Sequence, residues 1–277
     1  MNSKEFTSLQ VYIFYLKKME SDKVVKKKIK LKHHPNLSSK VLSVICGRSG
    51  AGKTVLLLKI LTTPKFLDYN NLIIFTTTQE QPIYQFLKYG FTNNLKREVI
   101  YHLFKIYEDS DDDEDIEEMC EVAAKTDDFK CKKDDEVKIL VTDSLAELSN
   151  PSKLPKDKKS CIVFDDCVNL KDQSVQKTYF TRGRHANCSC FYLTQSFHGL
   201  DGTFIRKNAN IFILFELNNR NVSELLKDIS VPDRDEFKQQ CRQAWSEPFG
   251  YITINLDKRP NQRVIEDLFS ESKNNEA

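Results

Sequence analysis

Lys53 and Thr54 close the segment Gly47-Arg48-Ser49-Gly50-Ala51-Gly52-Lys53-Thr54, a complete match to the phosphate-loop pattern G-x-x-x-x-G-K-[ST]. The chemistry such a segment suits is the holding of a polyphosphate. Several negative charges must come close to successive backbone N–H groups, which needs residues that admit positive φ and leave room, and Gly47, Gly50 and Gly52 supply both. Lys53 is a point charge within reach of the β and γ phosphates, and the Thr54 hydroxyl is a ligand for Mg²⁺. A helix starting here would aim its positive dipole end at the anion. The alternative, a flexible glycine turn, does not require the apolar run Val41 to Cys46 before the loop or the helical stretch Thr54 to Leu61 after it, which Pro64 ends.

A second chemical pair lies about 110 residues further on, where the apolar run Cys161 to Phe164 leads into Asp165 and Asp166. A strand ending in two carboxylates is the other half of a nucleotide-hydrolysing site. Asp165 would hold Mg²⁺ through water, and Asp166 would orient and deprotonate the attacking water. Read without the phosphate loop, the same pair would simply cap the following helix. A third element, Phe191 to Thr194, ends on Gln195 and Ser196. In a parallel sheet its tip falls beside the phosphate site, which places Gln195 to hydrogen-bond the γ phosphate or the attacking water rather than to be an idle surface amide.

The elements that must position these residues alternate along the chain. Leu72 to Thr77 reads as a buried parallel strand, and Gln81 to Tyr89 as a helix with Pro82 in its first turn and Gly90 at its end. Val99 to Phe104 fits strand or helix. Strands are expected at Lys138 to Thr142, Cys190 to Thr194, Ile211 to Leu217 and, last, Tyr251 to Leu256; helices at Val168 to Thr181, Val222 to Ile229 and Arg234 to Ala244. Strands alternating with helices predict an α/β domain, a mainly parallel sheet with helices on both faces.

The 277 residues carry 40% apolar and 30% charged side chains and a net charge of only +2, so whole-chain charge marks neither a nucleic-acid binder nor an acidic protein. Its distribution is uneven. Eight lysines fall between Lys17 and Lys32, and nine carboxylates occupy the eleven positions from Glu108 to Glu118. The acidic stretch reads as a solvated insertion, with Ile116, Met119 and Val122 to Ala124 forming a short helix beyond it. The eight cysteines have no zinc-site spacing; Cys46, Cys161 and Cys190 sit in apolar runs, which suits a reducing compartment, and Cys188 and Cys190 follow strand alternation. The apolar cluster Val11 to Leu16 is far shorter than the ~20 residues a membrane span needs, so a soluble intracellular protein is expected. One domain is expected over residues 41–257, between a basic segment, 1–40, and a polar tail, 258–277.

The segment Tyr179-Phe-Thr-Arg-Gly-Arg-His-Ala-Asn-Cys-Ser-Cys-Phe-Tyr-Leu-Thr-Gln-Ser196 follows Cys-Ile-Val-Phe-Asp-Asp and precedes Ile205-Arg-Lys-Asn-Ala-Asn210 and Phe212-Ile-Leu-Phe-Glu-Leu-Asn-Asn-Arg220. Together these resemble the genome-packaging ATPases of poxviruses, other large DNA viruses, virophages and virus-like Polinton transposons, within the FtsK/HerA group. The resemblance covers roughly residues 40 to 257. It implies a RecA-like (ASCE) P-loop NTPase fold, ATP and Mg²⁺ bound by Gly47 to Thr54 with Asp165, Asp166 in the second acidic motif, and Gln195 as the polar sensor. It also implies a homo-oligomeric ring acting on double-stranded DNA without sequence preference, with capsid proteins as partners, at the host-cell site of virion assembly. In such rings an arginine from one subunit completes the neighbour's site. Arg182 and Arg184 are the first candidates and Arg220 the next; the RGRH segment would otherwise be a basic helix end contacting carbonyls or DNA phosphates. The chain departs from the group at the second motif, where Asp-Asp stands in place of the common Asp-Glu and the second carboxylate is shorter.

The phosphate loop also serves small-molecule kinases and GTPases, but no Asn-Lys-x-Asp guanine motif is present and nothing marks an acceptor pocket. A third reading is a nucleotide-gated DNA-partition or assembly scaffold in which ATP only sets oligomer state. DNA-stimulated turnover separates the motor from both.

Overall fold

In the computed structural model, which describes residues 33–110, 115–155, 158–229, 231 and 233–270, eight strands form one sheet. In chain order they are β1 Leu42–Cys46, β2 Asn71–Thr76, β3 Lys138–Thr142, β4 Ser160–Asp165, β5 Cys188–Thr194, β6 Ile211–Phe215, β7 Tyr251–Asn255 and β8 Val264–Ile265. The spatial order is β3-β2-β4-β5-β1-β6-β7-β8; β1 to β6 run parallel, and β7 and β8 are antiparallel additions at one side. The expected mainly parallel α/β sheet is therefore present, and Tyr251–Asn255 is not its last strand, because Val264 and Ile265 pair with Ile254 and Thr253.

The seven α-helices of the described residues are α1 Lys53–Thr62, α2 Pro82–Thr92, α3 Arg97–Asp109, α4 Ile116–Ala124, α5 Ser174–Arg182, α6 Asn219–Asp228 and α7 Arg234–Ala244. Side chains of a strand alternate between faces, and that alternation builds two cores from the same strands. Ile45, Val163, Phe191 and Ile213 meet α1 to α4, whereas Val44, Ile162, Tyr192 and Phe212 meet α5 to α7. The central strands are buried on both sides, which is why they read as continuous apolar runs.

Two elements depart from the sequence reading for local reasons, and a third takes one of the two forms that reading left open. Gly90 lies inside α2 rather than at its end, since α3 packs so closely that a Cβ there would meet Ile100 at 2.5 Å. Val99 to Phe104 belongs to the helix α3, whose Val99, Ile100, Leu103 and Phe104 share a buried face at helical spacing. Residues 168–173 form a turn, closed by Leu170 N–H to Cys167 O (3.2 Å) and Gln173 Nε2 to Val168 O (2.8 Å), so α5 starts at Ser174.

The acidic stretch is partly helical. Glu108 and Asp109 end α3, and Asp115 caps α4 by accepting from Glu117 N (2.8 Å) and Glu118 N (3.2 Å); residues 111–114 lie outside the described residues. The basic run Lys17 to Lys32 also lies outside them. Residues 33–40 and 258–270, which sequence reading assigns to the flanks, pack together: the Asn36 amide donates to Leu268 O (3.1 Å), the Asn255 amide to Asn36 O (2.9 Å), and Leu268 is fully buried. All eight cysteines are free thiols. Among the described residues no helix is long and apolar enough to cross a membrane.

Candidate active site

Parallel strands place all their carboxyl ends on one edge of the sheet, and the register fixes which residues meet there. Cys46 at the end of β1 pairs with Thr194 of β5 on one side and Leu214 of β6 on the other, and Asp165 at the end of β4 pairs with Leu193. The acidic strand is thus separated from the phosphate-loop strand by β5 alone, whose tip carries Gln195. A single hydrogen bond, Gly47 N to Thr194 O (3.1 Å), ties the first residue of the loop to that tip.

The loop turns through Gly50 and Gly52, with φ of +72° and +93°, a conformation costly to any side chain with a Cβ. Gly52 is the N-cap of α1, and no side chain satisfies the first N–H groups of that helix. Those donors and the helix dipole face the loop concavity, which is how a backbone binds an anion. Arg48, Ser49 and Gly50 are exposed, Ala51 to Thr54 half-buried. Lys53 Nζ donates to Arg48 O (2.8 Å) across the loop. Burial lowers its ammonium below the ordinary lysine value, opposed first by the Asp165 charge and more weakly by that of Asp166, so both carboxylates lie within electrostatic reach of Lys53.

The two aspartates differ in surroundings. Asp165 is only 8% exposed, and burial pushes its carboxyl above the ordinary range in spite of the hydroxyl proton it accepts from Tyr84. Asp166 is exposed and left-handed (φ +53°), a conformation Asp tolerates better than most residues, and this turns its side chain off the strand line toward solvent. Below the pair, the Cys167 thiol donates to Asp165 O (2.9 Å), which steadies the turn. Gln195 is exposed, and the Thr194 hydroxyl, which accepts from Ser196 N (3.2 Å), shapes the turn that follows it.

The Mg²⁺ that the sequence resemblance implies would find hard oxygen donors in the Thr54 hydroxyl, in the first turn of α1, and the Asp165 carboxylate, whose burial gains most from a positive neighbour. No cluster of three or more His, Cys, Asp or Glu side chains suited to a metal exists among the described residues.

Arg182 and Arg184 are not brought to this edge. Arg182 ends α5 and Arg184 lies in the turn Gly183–Ala186, both exposed and both ahead of β5, at the opposite edge of the sheet. Arg220, at the start of α6, lies on the loop edge and approaches His198 (Nη2 to Nε2, 3.3 Å). The Ile205-to-Asn210 segment is architectural. Arg206 pairs with Asp228 (3.2 Å), and Asn210 accepts from Leu42 N and donates to Lys40 O (both 2.8 Å), stitching the start of β1 to β6. Tyr84 and the turn at residues 245–250 flank the site although no sequence motif points to them.

No protein-family model matches the chain, and no curated protein matches it. Among solved structures it is similar to the genome packaging NTPase B204 from Sulfolobus turreted icosahedral virus 2 in complex with AMP, at 13% identity and a TM-score of 0.48, over 84% of this chain and 100% of that one. It is also similar to B204, the DNA-packaging ATPase from Sulfolobus turreted icosahedral virus, at 14% identity and a TM-score of 0.48, over 80% of this chain and 94% of that one. VirB4 of Thermoanaerobacter pseudethanolicus is a further similar structure, at 11% identity and a TM-score of 0.43, over 84% and 90%.

Proposed function

We propose that the chain is an ATP hydrolase and, assembled as a ring, a motor that moves double-stranded DNA of any sequence into a preformed viral or virus-like capsid. The observation that supports the hydrolase part is the strand order β4-β5-β1, which brings the glycine loop at the start of α1, a buried and an exposed carboxylate, and a polar strand tip to one edge. In this reading the loop N–H groups and Lys53 hold the β and γ phosphates, and Thr54 and Asp165 hold Mg²⁺, which when bound neutralises charge developing on the phosphates. Asp166 accepts a proton from the attacking water, and Gln195 orients that water or the γ phosphate.

The DNA and capsid parts are supported by the linked sequence segments around Arg182-Gly-Arg-His185, Leu193-Thr-Gln-Ser196 and Leu217-Asn-Asn-Arg220. The experiment is steady-state ATP turnover with and without double-stranded DNA of several sequences. DNA-stimulated turnover indifferent to sequence is expected. Turnover indifferent to DNA would leave a hydrolase of another kind, and no turnover with intact ATP binding would favour the nucleotide-gated scaffold.

A further inference from the structure

Asp165 and Gln195 occupy one side of the phosphate loop; β6 and β7 occupy the other. There the turn from Trp245 to Gly250 joins α7 to β7 and faces the loop across a cavity of about 390 Å³, lined by Arg48, Gly50, Ala51, Phe215, Trp245 and Phe249 among others. Phe249 is 71% exposed, against 44% for Phe204 and 37% for Leu140, the other exposed large apolar residues of the described chain. It is also left-handed, with φ of +57°. An aromatic side chain in water and a bulky residue at positive φ both cost free energy, and neither returns any to the core.

The surroundings hold the ring where it is. The Trp245 indole N–H donates to Leu214 O (2.9 Å), fixing the start of the turn to β6. Gly250 N donates to Glu247 O (3.0 Å), and a Cβ on Gly250 would run into Ala244 O at 1.8 Å, so the turn has no slack. One edge of the Phe249 ring rests over Gly52, its Cδ1 3.3 Å from where a Cβ on that glycine would stand. A flat apolar surface is thus anchored beside the N-terminus of the phosphate-binding helix, with one side left open.

A nucleoside triphosphate is charged at one end and flat at the other, and its base must lie beside the loop that holds its phosphates. We infer that Phe249 is the platform on which the base of the bound nucleotide stacks; the inference rests on the reading of the loop as a nucleotide site. The lining contains no side-chain amide; the Ser246 hydroxyl donates to Gln243 O (2.7 Å), and Arg48, Glu216 and Glu247 are exposed, Arg48 and Glu216 forming a pair at 3.7 Å, so no polar side chain is fixed against the edge of a base. The base is therefore sorted by stacking area rather than by its edges. ATP and GTP bind alike, and the smaller pyrimidines bind more weakly.

The test measures binding of MgATP, MgGTP, MgCTP and inorganic tripolyphosphate to the full chain and to Phe249→Ala, Phe249→Tyr and Phe249→Gly. Phe249→Ala is expected to weaken both purine nucleotides about ten-fold, the scale of one base–aromatic stack, while tripolyphosphate binds as before and Phe249→Tyr restores affinity. Phe249→Gly relieves the left-handed strain, so its affinity is expected to fall with no loss in melting temperature. Purine affinity unchanged in Phe249→Ala, or tripolyphosphate affinity falling in parallel with it, would overturn the inference and leave the nucleotide site standing. Failure of the wild-type chain to bind ATP and tripolyphosphate would remove the site itself, and the inference with it.

Discussion

Tyr84 donates its hydroxyl proton to Oδ2 of Asp165, joining the first turn of α2 to the tip of β4 from within the core. Tyr84 is fully buried and Asp165 nearly so, which makes this bond the chief local compensation for a carboxylate taken out of water. It also fixes the direction of one carboxylate oxygen. Burial still outweighs the bond, since the carboxyl stays above its ordinary range.

Replacing Tyr84 with Phe keeps the ring and its packing but removes the donor. A buried acceptor left unsatisfied costs about 1–3 kcal/mol, so urea unfolding should show a loss of that size, with turnover falling as the Asp165 side chain loses its orientation. Wild-type stability and turnover in this variant would show that the bond positions nothing.

The raised Asp165 carboxyl makes a signed prediction about pH. A group whose folded pKa lies above its unfolded value contributes stability at low pH that is lost as pH rises through the folded value. In ligand-free protein, ionised Asp165 is thus a cost at neutral pH. Asp165→Asn should remove that cost and raise the melting temperature at neutral pH relative to wild type, while abolishing Mg²⁺-dependent turnover. Adding Mg-ATP should stabilise the wild type more than the variant, which keeps the phosphate loop but loses one ligand of the cation. A variant less stable than wild type at neutral pH would show that the carboxylate supports the fold.

The Lys53 side chain hydrogen-bonds Arg48 O within its own loop, so Lys53→Ala should leave melting nearly unchanged. Turnover should fall by on the order of 10²–10³, as for the loss of one preorganised charge-stabilising donor. Wild-type turnover would remove Lys53 from the site.

Asp166→Asn tests the two carboxylates against each other. Asn accepts the left-handed backbone at least as well as Asp, so the turn persists while basicity is lost. Mg-ATP binding should survive and turnover should drop by about 10²–10⁴. Binding and turnover falling together would make Asp166 a metal-holding or structural residue.

What could be read from the sequence tracks how local its cause is. The phosphate loop is contiguous, and its glycines announce their own geometry; β1, β4 and β6 are apolar runs because both their faces are covered. Asp165 and Asp166 stand at a strand end visible in the sequence, but their opposite surroundings are not, because the burial of one depends on Tyr84, 81 residues away. Gly90 resembles a helix stop until Ile100 of the next helix is seen against it. Phe249 is unremarkable as a sequence letter; its exposure, its φ and its place over Gly52 exist only once β7 pairs with β6. The segment from Ile205 to Asn210 carries part of the family resemblance, but its contacts are structural: Arg206 pairs with Asp228, and Asn210 bonds the backbone of Lys40 and Leu42.

The subunit boundary yields the last prediction. Arg182 and Arg184 precede β5, whose seven residues span about 20 Å before reaching the edge where Lys53 and Asp165 lie. An arginine side chain cannot cross that length, so neither residue completes its own chain's site, and a catalytic role requires a neighbouring copy. If one of them acts in trans, its Ala variant should bind ATP normally and lose on the order of 10³-fold or more in turnover. Mixing that variant with Lys53→Ala should restore part of the activity, because at some interfaces of a mixed ring an intact phosphate loop from the arginine variant meets an intact arginine from the lysine variant. Neither parent alone has such an interface. Sizing of the wild type and of each variant shows whether rings form. If rings form and both arginine variants turn over at the wild-type rate, the trans role passes to Arg220, which lies on the loop edge beside His198. If an arginine variant that still assembles loses turnover and mixing restores none, that arginine does not act in trans.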